Sequence, residues 1–417
     1  MAEPRTTAKL KVSYPAAGRD PGTPVYEVDE VTEFRYSSDV LAVGDECSFT
    51  VVNQGGKYTS LLRRGSTVQL YLSHPQVNGG AEALKFLGII IKREAKMSDG
   101  TIRVTCADLG WHLVNSHGEL WRNLRATTFE QLCDPTVRHS LIDPSWGFKG
   151  LRSGKDANRI NRFRKLGIPL GRAAAQLALD AAKSAIRTIQ IEAGEAPYDI
   201  MVRSAQKKNL LVNVSCDGYV QVWTPDYDRA KAYTIECRED GTNVIEGILT
   251  EDIAPLWTHI ECVGEYLGLT PQDPLNQNAS HRRGAFPRNG GSTGALPFVH
   301  RLTFADGEML DHEMARKQAE WKYKRGLYDS LYVQYSVLDH HQGGTWWEAD
   351  QMCDVRDELL GLEGLFYVAS VLCESTVQGG DTTQLVLRRK DLLSAAWGDW
   401  RSSGPGKVKS SKTPEKK

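Results

Sequence analysis

The chain has 417 residues, 41% hydrophobic and 25% charged, a soluble globular profile too long for one ordinary core, so two to four domains are expected. Lys plus Arg total 51 against 52 Asp plus Glu, a net charge of −1, which argues against nucleic acid as the principal ligand because a polyanion binder carries a basic excess. The opening MAEPRTTAKLKVS holds no apolar leader core, and no apolar run is long enough to span a bilayer, so folding in a reducing cytoplasm is the expectation.

Residues 1–24 are polar with scattered Pro and Gly and read as a loosely held, flexible arm. Strand formers fill Val25–Thr32 and continue to Tyr36, a turn is expected at Ser37-Ser38-Asp39, and Cys47–Val52 is a short strand. Leu61–Gly65 makes a tight turn into a strand at Ser66–Leu72. Phe86–Met97, the turn Ser98-Asp99-Gly100 and the return Thr101–Leu113 then form a long hairpin. Together, 25–126 reads as a first antiparallel β unit.

From Thr127 the character changes. Thr128–Leu132 looks like a helix start, and Gly147–Ile168 holds a basic cluster (Lys149, Arg152, Lys155, Arg159, Arg162, Arg164, Lys165). Pro169 opens a helical spacing through Leu170, Ala174, Leu177, Ala181, Ala185 and Ile189. Pro197 opens another helix, ended by Asn209. Leu210–Ser215 and Tyr219–Trp223 pair around the Asp-Gly turn Cys216-Asp217-Gly218. Residues 127–235 therefore read as an inserted α/β domain.

Residues 236–300 read as a connecting β segment, with strands at Asn243–Leu249 and Thr258–Val263 and a long exposed loop at 271–297 rich in Pro, Gly, Asn and Ser. A helix is expected over Glu308–Gly326, with Leu310, Met314 and Trp321 along one stripe and Gly326 as its stop. Tyr328–Leu338 alternates as a strand, as does Ala349–Val355. Gly361–Leu393 is a second long hairpin turning at Gln378-Gly379-Gly380-Asp381, so 301–397 reads as a second β unit. The tail, 398–417, is basic and disordered by composition.

The two hairpins, each preceded by a strand leaving a turn, are the main organisational signal: two similar antiparallel β units separated by unlike material. The eight cysteines (Cys47, Cys106, Cys133, Cys216, Cys237, Cys262, Cys353, Cys373) form no CxxC pair. An even count invites a disulfide reading, but several lie on apolar strand faces, and without a leader buried reduced thiols are the preferred reading.

At this point the sequence resembles a family. The turn at Arg64-Gly65-Ser66, the Phe86–Leu113 hairpin closing in Asp108-Leu109-Gly110, the unit PYDIMVRSAQKKNLLVNVSCDGYVQVW (Pro197–Trp223), the late helix with ARKQAEW (Ala315–Trp321) and the ending GLFYVASVLCESTVQGGDTTQLVL (Gly364–Leu387) occur in an order similar to the baseplate hub proteins of contractile phage tails. The likeness is to the Mu-like tail hub family, which shares its fold with the hub of larger myoviruses and with the N-terminal part of type VI secretion spike proteins. It covers most of 25–397 and departs at 147–168 and 271–297.

The resemblance implies a mainly β fold with an α/β insertion, two similar β-barrel-like tube domains per chain, and a homotrimer whose six units make a pseudo-sixfold ring. It implies a tail tube or tube-initiator protein and a central spike protein as partners, with wedge proteins and the tape measure protein as further neighbours. The implied location is the virion baseplate. No catalytic residue, cofactor or metal is implied.

Motifs that could carry chemistry are weak in context. Gly290-Gly291-Ser292-Thr293-Gly294 matches a nucleophile elbow but lacks the strand before it and the helix after it. His312-Glu313 starts like a zinc-protease helix, but Arg316 occupies the place of the second His. Asp339-His340-His341 reads as a polar turn before Gly343-Gly344 rather than a metal site. Asp350, Asp354, Asp357 and Glu358 read as a solvated strand face rather than the paired carboxylates of a cell-wall hydrolase. The 149–165 cluster could touch phosphates or carbohydrate, although only Trp146, Phe148 and Phe163 lie close by. Of Trp346 and Trp347, one should be core and the other could mark an interface. The Asn278-Ala279-Ser280 sequon has no meaning without secretion.

Overall fold

The alternating segments of the sequence become one long sheet in a computed structural model that describes residues 5–14, 24–28, 30–117, 124–153, 185–189, 194–206, 210–239, 241–264, 282–287, 298–306, 312–390 and 392–393. In chain order the first part forms β1 (Thr7–Ser13), β2 (Val25–Val28), β3 (Val31–Asp39), β4 (Glu46–Val52), β5 (Thr67–Ser73), β6 (Ala83–Lys96) and β7 (Thr101–Asp108), then α1 (Gly110–Asn115). Next come β8 (Leu124–Thr128), α2 (Phe129–Cys133), β9 (Gly150–Ser153), β10 (Ala185–Ile189), α3 (Pro197–Gln206), β11 (Leu211–Val214) and β12 (Tyr219–Trp223). The remainder holds β13 (Tyr233–Arg238), β14 (Gly241–Thr242), β15 (Glu246–Glu251), β16 (His259–Gly264), β17 (Arg282–Pro287), β18 (Arg301–Asp306), α4 (His312–Ser330), β19 (Leu331–Leu338), β20 (His341–Gln342), β21 (Thr345–Trp346), β22 (Gln351–Asp357), β23 (Leu362–Thr376) and β24 (Gly380–Arg389).

The main sheet has 14 strands in the order β14-β13-β22-β23-β3-β4-β7-β6-β5-β1-β2, with β24, β19 and β15 branching from β23. One apolar core underlies both parts of it, joining Phe34, Phe49 and Val104 to Tyr335, Val371 and Leu385. The period-2 rule fixes which face is dry: in β19, Leu331, Val333, Tyr335 and Val337 are buried while Gln334 and Leu338 are exposed. The pairings among the described residues do not close on themselves, so the barrel-like expectation gives way to an open sheet with β2, β14 and β15 at its ends.

The sheet contains the same unit twice. The order β5-β6-β7-β4-β3 is repeated by β22-β23-β24-β19-β15, and the registers match. The β6–β7 ladder slips between Ile90 and Lys92, and the β23–β24 ladder slips between Val368 and Ser370. Cys47, Phe49 and Val51 of β4 correspond to Val333, Tyr335 and Val337 of β19, and all six are buried. Past β3, Asp39 Oδ1 accepts from Leu41 N at 2.7 Å; past β15, Asp252 Oδ1 accepts from Ala254 N at 2.8 Å. A shared slip and a shared turn bond fix the alignment of the two units to the residue.

Between them, β11, β12 and β9 form a small sheet, β9 running parallel to β12. Its core takes Ile200 and Met201 from α3 and Phe129 and Leu132 from α2, together with Leu87, Leu109 and Leu113 from the first unit. Thr128 caps α2 with a reciprocal box, its hydroxyl accepting from Gln131 N while Gln131 Oε1 accepts from Thr128 N. A third sheet sets β16 antiparallel to β17 and parallel to β18. No helix among the described residues is long and apolar enough to cross a membrane.

Several local expectations change. Residues 7–13, expected in a loose arm, form β1, which pairs with both β2 and β5 and buries Leu10 and Val12. Ser37-Ser38-Asp39 is the end of a strand and not a turn. The Thr101–Leu113 strand stops at Asp108, and 110–115 turns helical. Ala185 and Ile189 lie in β10, not in a helix, and 282–287 is a strand inside the expected 271–297 loop. Gly326 does not stop α4, which runs to Ser330. A Cβ there would sit 2.2 Å from Pro255 O, so close backbone approach is what requires glycine. The helical stretch at 169–184, the remainder of the 271–297 loop and the 398–417 tail lie outside the described residues.

Candidate functional site

The two β units meet where the second half of β23 pairs antiparallel with β3, from Ser370 opposite Asp39 to Ser375 opposite Phe34. Val40 N extends the ladder by donating to Ala369 O at 3.0 Å. Tyr36 and Cys373, opposite each other, point into the core, and Val40 beyond them is 1% exposed. Arg35 reaches Glu374 at 3.7 Å on the other face.

Side chains from both units reinforce this seam. Lys85 Nζ lies 2.6 Å from Glu348 Oε1, and Thr6 N donates to Asp381 Oδ2 at 2.9 Å. The Phe34 and His340 rings stand 5.4 Å apart, and the His74 and His341 rings 4.2 Å apart. His340 is fully buried. Thr383 Oγ1 donates to Asp339 O at 2.7 Å, so at 2.9 Å it accepts from His340 Nδ1, which carries the proton. Burial pushes His340 down to about 4, opposed by Asp381 and Asp339 and reinforced by His341 and His74.

The opposite face is polar. Arg35, Ser37, Ser48, Arg103, Gln334 and Gln384 line an open groove of 450 Å³ that crosses from the first unit to the second. This is the wet side of the alternation in β3, β4, β7, β19, β23 and β24. It presents hydroxyls, amides and guanidinium groups rather than converging acids or bases.

The residues singled out from sequence fall as follows. Asp339-His340 is a bend, with Asp339 at φ 61°, and His341 begins β20; both histidines are buried rather than solvated. No cluster of three or more His, Cys, Asp or Glu suited to a metal occurs among the described residues. Asp350 and Asp357 are not on a solvated face: they are 1% and 3% exposed. Asp350 pairs with Arg229 at 3.0 Å and accepts from Tyr367 Oη at 2.7 Å; Asp357 accepts from Tyr335 Oη at 2.7 Å. Asp354 holds Lys231 at 2.7 Å.

Trp346 and Trp347 are both buried, because β21 ends at Trp346 and the backbone turns both indoles inward. Of the basic cluster, Arg152 pairs with Asp217 at 2.8 Å and stacks 4.1 Å over the Tyr219 ring, while the members beyond Ser153 lie outside the described residues. Gly290–Gly294 and Asn278–Ser280 lie outside them too. His312 and Glu313 fall in α4, and Arg316 is exposed. Six of the eight cysteines are buried and all eight are free; Cys47, Cys106, Cys262, Cys353 and Cys373 are buried on strands, while Cys133 is buried in α2.

Sequence reasoning missed β1 and His74. The former carried a readable signal, Lys9 and Lys11 alternating with Leu10 and Val12; the latter carried none.

No protein-family model and no curated protein matches the chain. Solved structures do. A tail protein from Neisseria meningitidis superposes with a TM-score of 0.64 at 15% identity, covering 93% of this chain and 98% of that one. The 43 kDa tail protein of prophage MuSo2 from Shewanella oneidensis gives 0.65 at 16% identity, over 93% of this chain and 100% of that one. A chain of the Francisella PdpA–VgrG complex gives 0.53 at 10% identity, over 92% of this chain and 58% of that one. The chain therefore has the mainly β fold of prophage tail proteins.

Proposed function

We propose that this chain is the structural baseplate hub of a contractile phage tail or a related injection machine, acting as a trimer. On this reading three chains contribute six β units to a pseudo-sixfold ring, which fits a hexameric tail tube on one side and a trimeric central spike on the other. Residues 25–126 and 301–397 form the bulk of the two tube domains, with β1 adding to the first and β13–β15 to the second; 127–235 up to β13 is the insertion, and wedge and tape measure proteins are further neighbours. The site of action is the virion baseplate, after synthesis in the host cytoplasm. No catalytic residue is assigned, and the fold's relatives are described as tail proteins.

The observation that supports this reading most is the register-matched duplication of the β unit. A threefold object can imitate a sixfold one only if each chain carries two near-equivalent parts, and a shared ladder slip and turn bond make the parts equivalent at residue level. Native mass spectrometry of the purified chain, alone and with a trimeric spike, tests it. Three chains, and three chains on one spike trimer, are expected; single chains under both conditions contradict it. Cleared zones on a cell-wall gel would favour a hydrolase instead.

A further inference from the structure

Where the two β units and the small β11-β12-β9 sheet meet, they surround a cavity of about 350 Å³. Tyr36 and Lys85 line it from the first unit, Asn213 and Gln221 from the small sheet, and Trp347 and Glu348 from the second unit. Val212, Val220 and Val222 of the small sheet turn the other way, into the core they share with Ile200 and Met201 of α3. Strand alternation therefore leaves the amides of Asn213 and Gln221, directly opposite each other across the ladder, for the cavity.

Lys85 reaches the cavity through an irregularity present in one copy of the β unit only. The β5–β6 ladder pairs Leu70 with Phe86 and then Tyr71 with Leu84, which makes Lys85 an extra residue, whereas the equivalent β22–β23 ladder runs without a slip. A bulge of this kind re-aims the side chain it carries. Lys85 ends 8% exposed, its ammonium 2.6 Å from Glu348 Oε1 and 5.2 Å from the centre of the Trp346 ring. Two further buried groups have no hydrogen-bond partner among the described residues: Asn213 Oδ1, an acceptor, and Trp347 Nε1, a donor. Buried polar groups are costly when left unpaired, and here one of each kind lines the same space.

We propose that this cavity binds an uncharged, hydroxyl-rich molecule of one or two sugar rings. Hydroxyl groups accept from Trp347 Nε1 and from the remaining N–H groups of Lys85 while donating to Asn213 Oδ1, a combination that a metal cation or a carboxylate does not offer. The two unmatched groups are neutral, and the cations of the lining already have their carboxylates: Lys85 has Glu348, and Arg229 has Asp350 at 3.0 Å. Asp39 and Asp45 add negative charge to the lining, which disfavours an anion. The volume lies at the small end of ligand pockets. The site stands or falls independently of the hub assignment.

Cys216 supplies the readout, because it is exposed and lines the same cavity, while Cys237 does not line it. The full chain is labelled with iodoacetamide in the presence of N-acetylglucosamine or maltose, with phosphate and spermidine as charged controls, and both thiols are followed by peptide mass spectrometry. Slower labelling of Cys216 that saturates with sugar concentration, at an unchanged Cys237 rate, is expected. Trp347→Phe keeps the ring and removes the donor; Lys85→Met keeps the stem and leaves Glu348, 54% exposed, to water; Asn213→Leu removes the acceptor at similar volume. Each should weaken protection by roughly threefold to tenfold with circular dichroism unchanged. Protection by phosphate or spermidine in place of the sugars overturns the ligand class, and protection that no variant weakens overturns the site. Absence of protection of the parent chain by either sugar overturns the proposal outright, whatever the variants do.

Discussion

Gly65 and Asp350 occupy one position in two copies of the same unit. Gly65 N donates to Ile90 O at 2.9 Å with φ 82°, and Asp350 N donates to Val368 O at 2.9 Å with φ 63°. The turn entering the unit needs a left-handed residue, which glycine supplies freely and aspartate tolerates. In the second copy the carboxylate also holds Arg229, at the end of the inserted segment, against the sheet at 3.0 Å.

Asp350→Ala removes the nearer of two carboxylates beside the Arg229 guanidinium, which is only 16% exposed. A loss toward the lower end of about 3–5 kcal/mol in urea unfolding is expected, because the interior charge keeps only Asp226, at 3.7 Å, as a carboxylate partner. Asp350→Ala with Arg229→Met should recover most of it, and failure to recover would show that the carboxylate acts mainly through Tyr367.

His340 makes stability pH-dependent. Its folded value lies near 4, below the ordinary imidazole range, so between about 6.5 and 4 the unfolded chain binds the extra proton. The contribution is complete above 6.5 and is lost as pH falls through that window. Melting temperature should drop on acidification, and His340→Asn, keeping a donor toward Thr383, should flatten the drop there. An unchanged pH profile in the variant would contradict this role.

Gly326→Ala tests the close approach of α4 to the 255 carbonyl. Alanine favours a helix by about 1 kcal/mol over glycine, yet a net loss of about 1–3 kcal/mol is expected because the added methyl meets Pro255 O. Gly241→Ala, with nothing within 4 Å, should stay within about 0.5 kcal/mol of the parent. Thermal unfolding distinguishes the two.

Thiol labelling of the native chain should modify only Cys216 and Cys237, the two cysteines outside the core. Cys216 should react slowly, since partial burial pushes its thiol up to about 11 and Asp217 adds to that. The other six should react only on unfolding. Fast labelling of Cys47 or Cys106, which face each other across β4 and β7, would show that the first unit opens locally.

The strands were legible because their alternation is strong: Leu331–Val337 reads directly as one dry and one wet face, whereas β23 is buried on both faces from Phe366 to Ala369. The duplication was legible only as a pattern, since it lives in register and turn bonds rather than in side-chain identity. Glycine at 65 answers aspartate at 350, and Phe49 answers Tyr335. What could not be read was long-range. Asp350 and Asp357 looked solvated because acidic residues usually are, and only tertiary packing brings Arg229 and Tyr335 to them. The Ala185 and Ile189 spacing fits a helix, but pairing with β8 makes it a strand. Gly326 carried the signature of a helix end and is instead a packing contact.

The central claim is that two matched β units per chain allow three chains to present six. Projection images of the purified assembly by electron microscopy, viewed down its axis, test this most directly. The account predicts a closed ring of six near-equivalent lobes built from three chains; a ring of three lobes, or particles of a single chain, would contradict it.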